Sequence, residues 1–314
     1  MGPANSNTSA NGAVRDFIAY LAVERGASAN TIAAYRRDLD RYLTFLVERG
    51  TTDLTRVTRD DVLAFIAEQR GEGLAPSTIE RRLAAVKGVH KFLVAEGMTT
   101  ELPTGHIPRM RKPQALPQVL TIDQVESVIA ATADGRGADD PIALRDRAII
   151  EVLYGCGLRV GELCGMDTGA IDVDGGTVRV VGKGSKERIA PLGSRAAEAL
   201  TDYIERGRPR LRSVPGLTPQ TSAVFLSSRG LRLRREVVFR IVRSVGERAG
   251  VEGLHPHVLR HSYATHMLEG GADLRSLQEL LGHADLSTTQ IYTHVDQRYV
   301  QTEYLLKHPR ARKR

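Results

Sequence analysis

Through roughly the first hundred residues, apolar positions recur at helical spacing. One helix is expected over about residues 14–24. Ser28 or Asn30 caps a second that runs to about Glu48, with Ile32, Tyr35, Leu39, Tyr42, Leu43 and Leu46 on one face and Gly50 ending it. A shorter helix follows Asp60, buries Val62, Phe65 and Ile66, and stops near Gly71. Ser77-Thr78-Ile79-Glu80 has the form of a capping box, which predicts a further helix with Ile79, Leu83, Val86, Val89 and Phe92 on one face. These segments make a small four-helix unit.

Between Leu102 and Leu120 the periodicity breaks. Pro103, Pro108, Pro113 and Pro117, interspersed with Arg109, Arg111 and Lys112, cannot continue a helix and read as an extended basic linker. Thr121-Ile122-Asp123-Gln124 then opens a new capped helix. The expected division is a disordered start over residues 1–12, a helical domain over 13–102, a linker over 103–120, a second domain over 121–307 and a basic tail over 308–314. The second domain is mostly helical. Residues 177–181 and 188–191 alternate as a β-hairpin whose exposed turn is Gly182-Lys183-Gly184-Ser185-Lys186. Helices resume near Ser194, and one further short strand is expected at residues 224–226. The fold class is therefore mainly α with a small β-hairpin or sheet, an α+β arrangement in two domains.

Composition narrows the class without naming a function. A chain of 314 residues is long enough for two cores. Its two cysteines, Cys156 and Cys164, are too few for a disulfide framework or a Cys-rich zinc site, so a reducing cytoplasm is the expected home. The opening MGPANSNTSANG lacks the apolar core of a signal peptide, and no apolar run approaches membrane-spanning length, so no membrane insertion is expected. The net charge of +7 and pI near 9.6 suit a polyanionic partner such as nucleic acid. Arg36, Arg37 and Arg41 on one helix, and Arg81, Arg82, Lys87 and Lys91 on another, decorate faces expected to be solvated. Arg36, Arg37, Arg81, Arg82 and Lys87 are the candidate DNA contacts.

The chemistry is concentrated in the second domain. Gly157-Leu158-Arg159-Val160-Gly161-Glu162-Leu163 places Arg159 at a helix opening, just past a glycine turn. Lys183 stands at the hairpin tip. In His257-Val258-Leu259-Arg260-His261, His257 and Arg260 are three apart and share a helical face. Leu281-Gly282-His283 is followed nine residues later by Tyr292. Cleaving a phosphodiester builds negative charge on the non-bridging oxygens, and two arginine forks match that shape and charge. A tyrosine, with a pKa near 10, attacks well once its proton is withdrawn or its phenolate is stabilised. A lysine ammonium can protonate the departing sugar hydroxyl. His257 and His261 also have the spacing of two metal ligands on a helix, but nearby carboxylates are sparse and the cysteines are remote in sequence.

These residues resemble the tyrosine recombinase (integrase) family, and in particular its bacterial Xer branch. The matching stretches are YGCGLRVGELCGM (154–166), VVGKGSKERIAPLG (180–193), HPHVLRHSYATHMLEGGADL (255–274) and LQELLGHADLSTTQIYTHV (277–295), and the ending HPRARKR is similar too. The resemblance spans about residues 14–314. It implies that Arg159 and Arg260 clamp the scissile phosphate, that Lys183 is the general acid for the leaving 5′ hydroxyl, and that His257 assists proton transfer. It further implies that His283 positions the phosphate, that Tyr292 forms a 3′-phosphotyrosyl intermediate, and that Glu162 supports the first arginine. The implied architecture is a C-shaped clamp on double-stranded DNA, assembled as a tetramer of identical or related Xer recombinases. A segment containing Val300, Tyr304, Leu305 and Leu306 would dock on a neighbour, although packing on its own domain fits its apolar spacing as well. No cofactor, neither metal nor ATP, is implied. The branch resolves chromosome dimers at a dif-like site before cell division, activated by a division-associated DNA translocase (FtsK-like). A mobile-element integrase, a type IB topoisomerase, an inactive architectural DNA-binding protein and a metal-dependent nuclease are the alternatives. XerC-like and XerD-like roles both stay open.

Overall fold

The computed structural model describes residues 10–105, 107, 118–133, 135, 137, 139–182, 187–212, 222–281 and 294–311, with only the backbone of 294–300. The chain divides into two compact units, residues 1–115 and 116–314.

The first unit holds helices α1 (Ala10–Val23), α2 (Ala29–Glu48), α3 (Arg59–Gly71) and α4 (Pro76–Ala95), as the apolar periodicity predicts. Its core is Phe17, Leu39, Tyr42, Leu46, Phe65, Val86, Val89 and Leu93, all nearly inaccessible to water. Ser28 caps α2 by accepting from the Thr31 N–H at 3.2 Å. Three local expectations are corrected. α1 begins at Ala10, not after residue 12, because Ala10 and Ala13 are buried and the Ala10 N–H donates to the Thr52 carbonyl. α3 starts from a capping box of Thr58 with Asp61 rather than from Asp60. The Ser77–Glu80 box does not form: Pro76, whose φ suits a first helical turn, starts α4 two residues earlier, and Ala75 caps it without a side-chain bond.

Arg81, Arg82, Lys87 and Arg41 each have a partner within the unit, while Arg81 itself stays exposed and the other three partly so. Arg81 pairs with Asp38, which is 2% exposed; Arg82 donates to Gln69. Lys87 donates to the Ile107 carbonyl, and Arg41 bridges Glu68 and Glu72. Arg36 and Arg37 are exposed.

The second unit is built on α5 (Ile122–Ala130), α6 (Pro141–Gly155) and α7 (Val160–Gly165). A three-stranded antiparallel sheet of β1 (Ile171–Asp172), β2 (Thr177–Val181) and β3 (Glu187–Pro191) follows in that order. α8 (Ser194–Asp202) passes through a π turn, Tyr203–Gly207, into α9 (Arg208–Arg212); α10 (Arg235–Arg248), α11 (Pro256–Glu269), α12 (Leu274–Leu281) and α13 (His294–Lys307) complete it. The expected hairpin is present, and Thr121 with Gln124 forms the expected capping box of α5. β1 is an addition that its two-residue length hid. Residues 224–226 are not a strand: only single bridges, Asp167 to Ala223 and Leu226 to Arg232, flank them. Tyr203, stacked on Phe225, instead accepts the Leu226 N–H through its hydroxyl.

α6 is the spine of this core, with Ile149, Ile150, Val152, Leu153 and Tyr154 buried. Described residues of the C-terminal segment pack on this same unit: Tyr304 and Ala311 are buried, and Gln301 donates to the Gly175 carbonyl. Among the described residues no helix is long and apolar enough to cross a membrane.

Candidate active site

Arg159, Glu162, His257 and Arg260 are described. Lys183, His283 and Tyr292 lie outside the described residues, as do most of the proposed linker, residues 1–9 of the start and 312–314 of the tail.

Arg159 immediately precedes α7, following a turn at Gly157 whose φ is +59°. That turn follows the C-terminus of α6 and requires glycine: a Cβ there would sit 2.6 Å from the Tyr263 ring. Glu162, in the first turn of α7, folds back so that Oε2 accepts the Arg159 backbone N–H at 2.8 Å and Oε1 accepts Arg159 Nη1 at 3.0 Å. The side chain of Glu162 is 2% exposed and that of Arg159 35%.

From α11, Arg260 donates through Nη1 to the Gly157 carbonyl at 2.5 Å and through Nη2 to the Leu281 carbonyl at 2.7 Å. Its Nη1 lies 4.0 Å from Glu162 Oε2. The two arginines thus meet through one buried carboxylate and the turn that carries Arg159.

A third arginine joins them. Arg188 on β3 donates through Nη2 to Glu162 Oε2 at 2.9 Å and through Nε to Oε1 at 3.4 Å, while its Nη1 donates to the Leu280 carbonyl at 2.6 Å. The motif reading missed this residue. The signal for it was the strand alternation, because Arg188 pairs with buried Val180 just as Ala190 pairs with buried Val178. An arginine therefore occupies a position whose neighbours on that face are apolar.

The electrostatics favour an anion. Burial pushes the Glu162 carboxyl up, but hydrogen bonds and charge from Arg188, with those of Arg159, outweigh it and hold the group below the usual carboxylate range. Burial and the neighbouring Arg159 charge depress Arg260 to about 10, so it is still a cation at neutral pH. Three guanidinium groups surround one carboxylate, leaving a positive excess at a half-buried site, which is the condition for stabilising added negative charge.

His257 lies in the first turn of α11, exposed, with its ring 6.2 Å from Phe239 and 5.9 Å from His255. His255 is pushed down by burial and by His257. Among the described residues no group of three or more His, Cys, Asp or Glu side chains could hold a metal ion.

Residues 118–298 match the Phage integrase family, and residues 14–97 match the Phage integrase, N-terminal SAM-like domain. The tyrosine recombinase XerD of Mycobacterium tuberculosis is 44% identical over 309 residues, covering 95% of this chain and 98% of the relative. That of Bifidobacterium longum is 42% identical over 298 residues, covering 94% and 96%. Among solved structures, the XerH site-specific recombinase bound to a palindromic difH substrate, in a post-cleavage complex, superposes with a TM-score of 0.66. It is 21% identical, covering 93% of this chain and 84% of that one, so the likeness concerns the fold alone.

Proposed function

The chain belongs to the phage integrase family of tyrosine recombinases, enzymes that cut and rejoin DNA, and from that premise we propose that it is a site-specific recombinase of the Xer type. Double-stranded DNA is bound by both modules, the helical one over residues 13–102 and the catalytic one over residues 121–307. Arg159 and Arg260 hold the scissile phosphate and meet the charge that grows on its non-bridging oxygens. Tyr292 attacks the phosphorus; its O–P bond forms as the bond to the 5′ oxygen breaks, and Lys183 gives that oxygen a proton. His257 exchanges a proton with the nucleophile and His283 hydrogen-bonds the phosphate. The 3′-phosphotyrosyl link keeps the phosphodiester energy, so attack by a 5′ hydroxyl of the partner strand rejoins DNA without ATP.

The observation that carries this reading is the convergence of Arg159 and Arg260 on Glu162 and on the Gly157 turn, in a site with excess positive charge. The full-length similarity to XerD proteins supports a finer role: resolution of chromosome dimers at a dif-like site in the cytoplasm, by a tetramer with a related recombinase. A division-associated DNA translocase would then be the activator. A nicked suicide substrate tests the chemistry. Wild-type protein should form a denaturant-stable protein–DNA adduct and Tyr292→Phe should bind the same DNA without forming it. An adduct with Tyr292→Phe would overturn the assignment.

A further inference from the structure

We infer that Arg188 is a positioning residue of the cleavage site, orienting the Glu162 carboxylate and thereby Arg159, and anchoring the end of α12. The inference rests on the reading of Arg159 and Arg260 as the phosphate-holding pair. Its first support is place. Residues facing each other across antiparallel strands point to the same side, and on this side β2 and β3 contribute Val178, Val180 and Ala190, all buried. Arg188 takes the remaining place with a side chain only 13% exposed. An apolar residue would satisfy packing there, and a buried ion pair is seldom the more stabilising choice.

Its second support is what the guanidinium touches. Glu162 receives Arg159 on both oxygens, through the backbone N–H and Nη1, and receives Arg188 on both oxygens as well. The carboxylate plane is held from two directions, so the Arg159 guanidinium has a fixed partner. The remaining Arg188 donor reaches the Leu280 carbonyl, one residue before the Leu281 carbonyl that receives Arg260. Arg188 and Arg260 together bind successive carbonyls, Leu280 and Leu281, at the end of the described part of α12. Residues 282–293, with His283 and Tyr292, follow directly in sequence.

Removing Arg188 leaves a buried carboxylate with fewer cationic donors, so the proton affinity of Glu162 rises. A protonated Glu162 cannot accept the full set of bonds that fixes Arg159. Among the described residues, the charged groups facing Glu162 are Arg159 at the start of α7, Arg188 from β3 and Arg260 from α11. Cys156 and Tyr263, also near Arg188, are both raised by burial, Cys156 to about 12, and stay neutral across the test range.

The test is single-turnover adduct formation on the suicide substrate, from about pH 5.5 to about pH 9. Arg188→Met, which keeps most of the apolar volume, should slow cleavage by about ten- to a hundredfold at the acid end, the range typical when supports of a site's first contacts are lost. The deficit should shrink towards alkaline pH, and DNA affinity should change by less than about threefold. Adding Glu162→Gln to Arg188→Met should cost little more and flatten the pH profile. Arg188→Lys should restore part of the acid-side rate. A uniform loss at every pH that tracks the loss of folded protein, or a wild-type profile for Arg188→Met, would overturn the inference. Arg159→Ala separates the two readings. If that variant still forms adduct, the phosphate-arginine reading itself fails; if it is dead while Arg188→Met is normal, only the role of Arg188 falls.

Discussion

Arg310 closes on Glu151 through two hydrogen bonds, Nε to Oε2 at 3.1 Å and Nη2 to Oε1 at 2.5 Å, across 159 positions of chain. Glu151 is wholly buried in α6 and the Arg310 side chain is 14% exposed. Beside the pair, His308 packs against Tyr154, Tyr263 and Tyr304, and the Tyr154 hydroxyl meets His266 Nδ1 at 2.8 Å. The segment that family resemblance would dock on a neighbour is therefore anchored, over its described residues, to its own catalytic unit. The reason is the unpaired carboxylate that Glu151 would otherwise leave in the core.

Arg310→Ala should accordingly destabilise the catalytic unit by about 3–5 kcal/mol, the usual result of stranding a buried charge. The double variant Glu151→Met with Arg310→Met should recover most of that. Urea unfolding followed by circular dichroism measures both, and equal losses for the single and double variants would contradict the pairing.

The first unit should weaken in mild acid. His90, inaccessible and 3.1 Å from the Tyr42 hydroxyl, is depressed by burial to about 4. Between about pH 6.5 and about pH 4 the unfolded chain therefore binds a proton there that the folded chain does not, and stability falls as pH falls through that window. The full effect is about 3 kcal/mol. Urea midpoints at about pH 7.5 and about pH 4.5 should differ less for His90→Gln than for wild type; an equal drop in both would place the acid sensitivity elsewhere.

Gly157→Ala should cost about 2–4 kcal/mol, because it combines a left-handed backbone with a clash against Tyr263. It should also slow adduct formation beyond the loss of folded protein, since the Gly157 carbonyl receives Arg260. Gly165→Ala in α7, where an added Cβ meets nothing within 4 Å, is the control and should leave both nearly unchanged.

Arg260→Ala should reduce cleavage by about a hundred- to a thousandfold while DNA affinity falls by less than about tenfold, because binding is spread over many phosphate contacts. Arg260→Lys should not restore the rate. One ammonium cannot serve the Gly157 and Leu281 carbonyls and still present a planar fork to a phosphate. Rapid-quench cleavage and equilibrium binding on the same oligonucleotide separate the two effects.

The basic residues of the first unit should divide into two kinds. Arg36→Ala and Arg37→Ala should leave stability unchanged and lower the salt dependence of DNA affinity by about one unit of log–log slope each. Arg81→Ala should instead destabilise the unit by about 1–3 kcal/mol, because Asp38 is left buried with a lost donor. Binding titrations at several salt concentrations, beside thermal melts, distinguish them.

Local chemistry was readable along the chain. Ser28 and Thr121 act as caps, apolar faces built α2 and α4, and Arg159 with Glu162 are three residues apart, so one helical turn brings them together. The Ser77–Glu80 box failed for an equally local reason, since Pro76 made an earlier start available. The motifs also named His257 and Arg260 on one helix, but nothing in their spacing says which carbonyls Arg260 would reach. Strand alternation marks Arg188 as an arginine on an apolar face, but its role depends on a strand pairing and on α7 lying against that face.

By itself, then, the sequence determined the helices, the hairpin and the family, because periodicity, caps and closely spaced motifs act within a few residues. Only the tertiary structure decided that Arg188 completes the Glu162 cluster and that Arg310 returns to Glu151. Those pairs are 26 and 159 residues apart, and a buried carboxylate selects whichever cation the packed fold delivers to it.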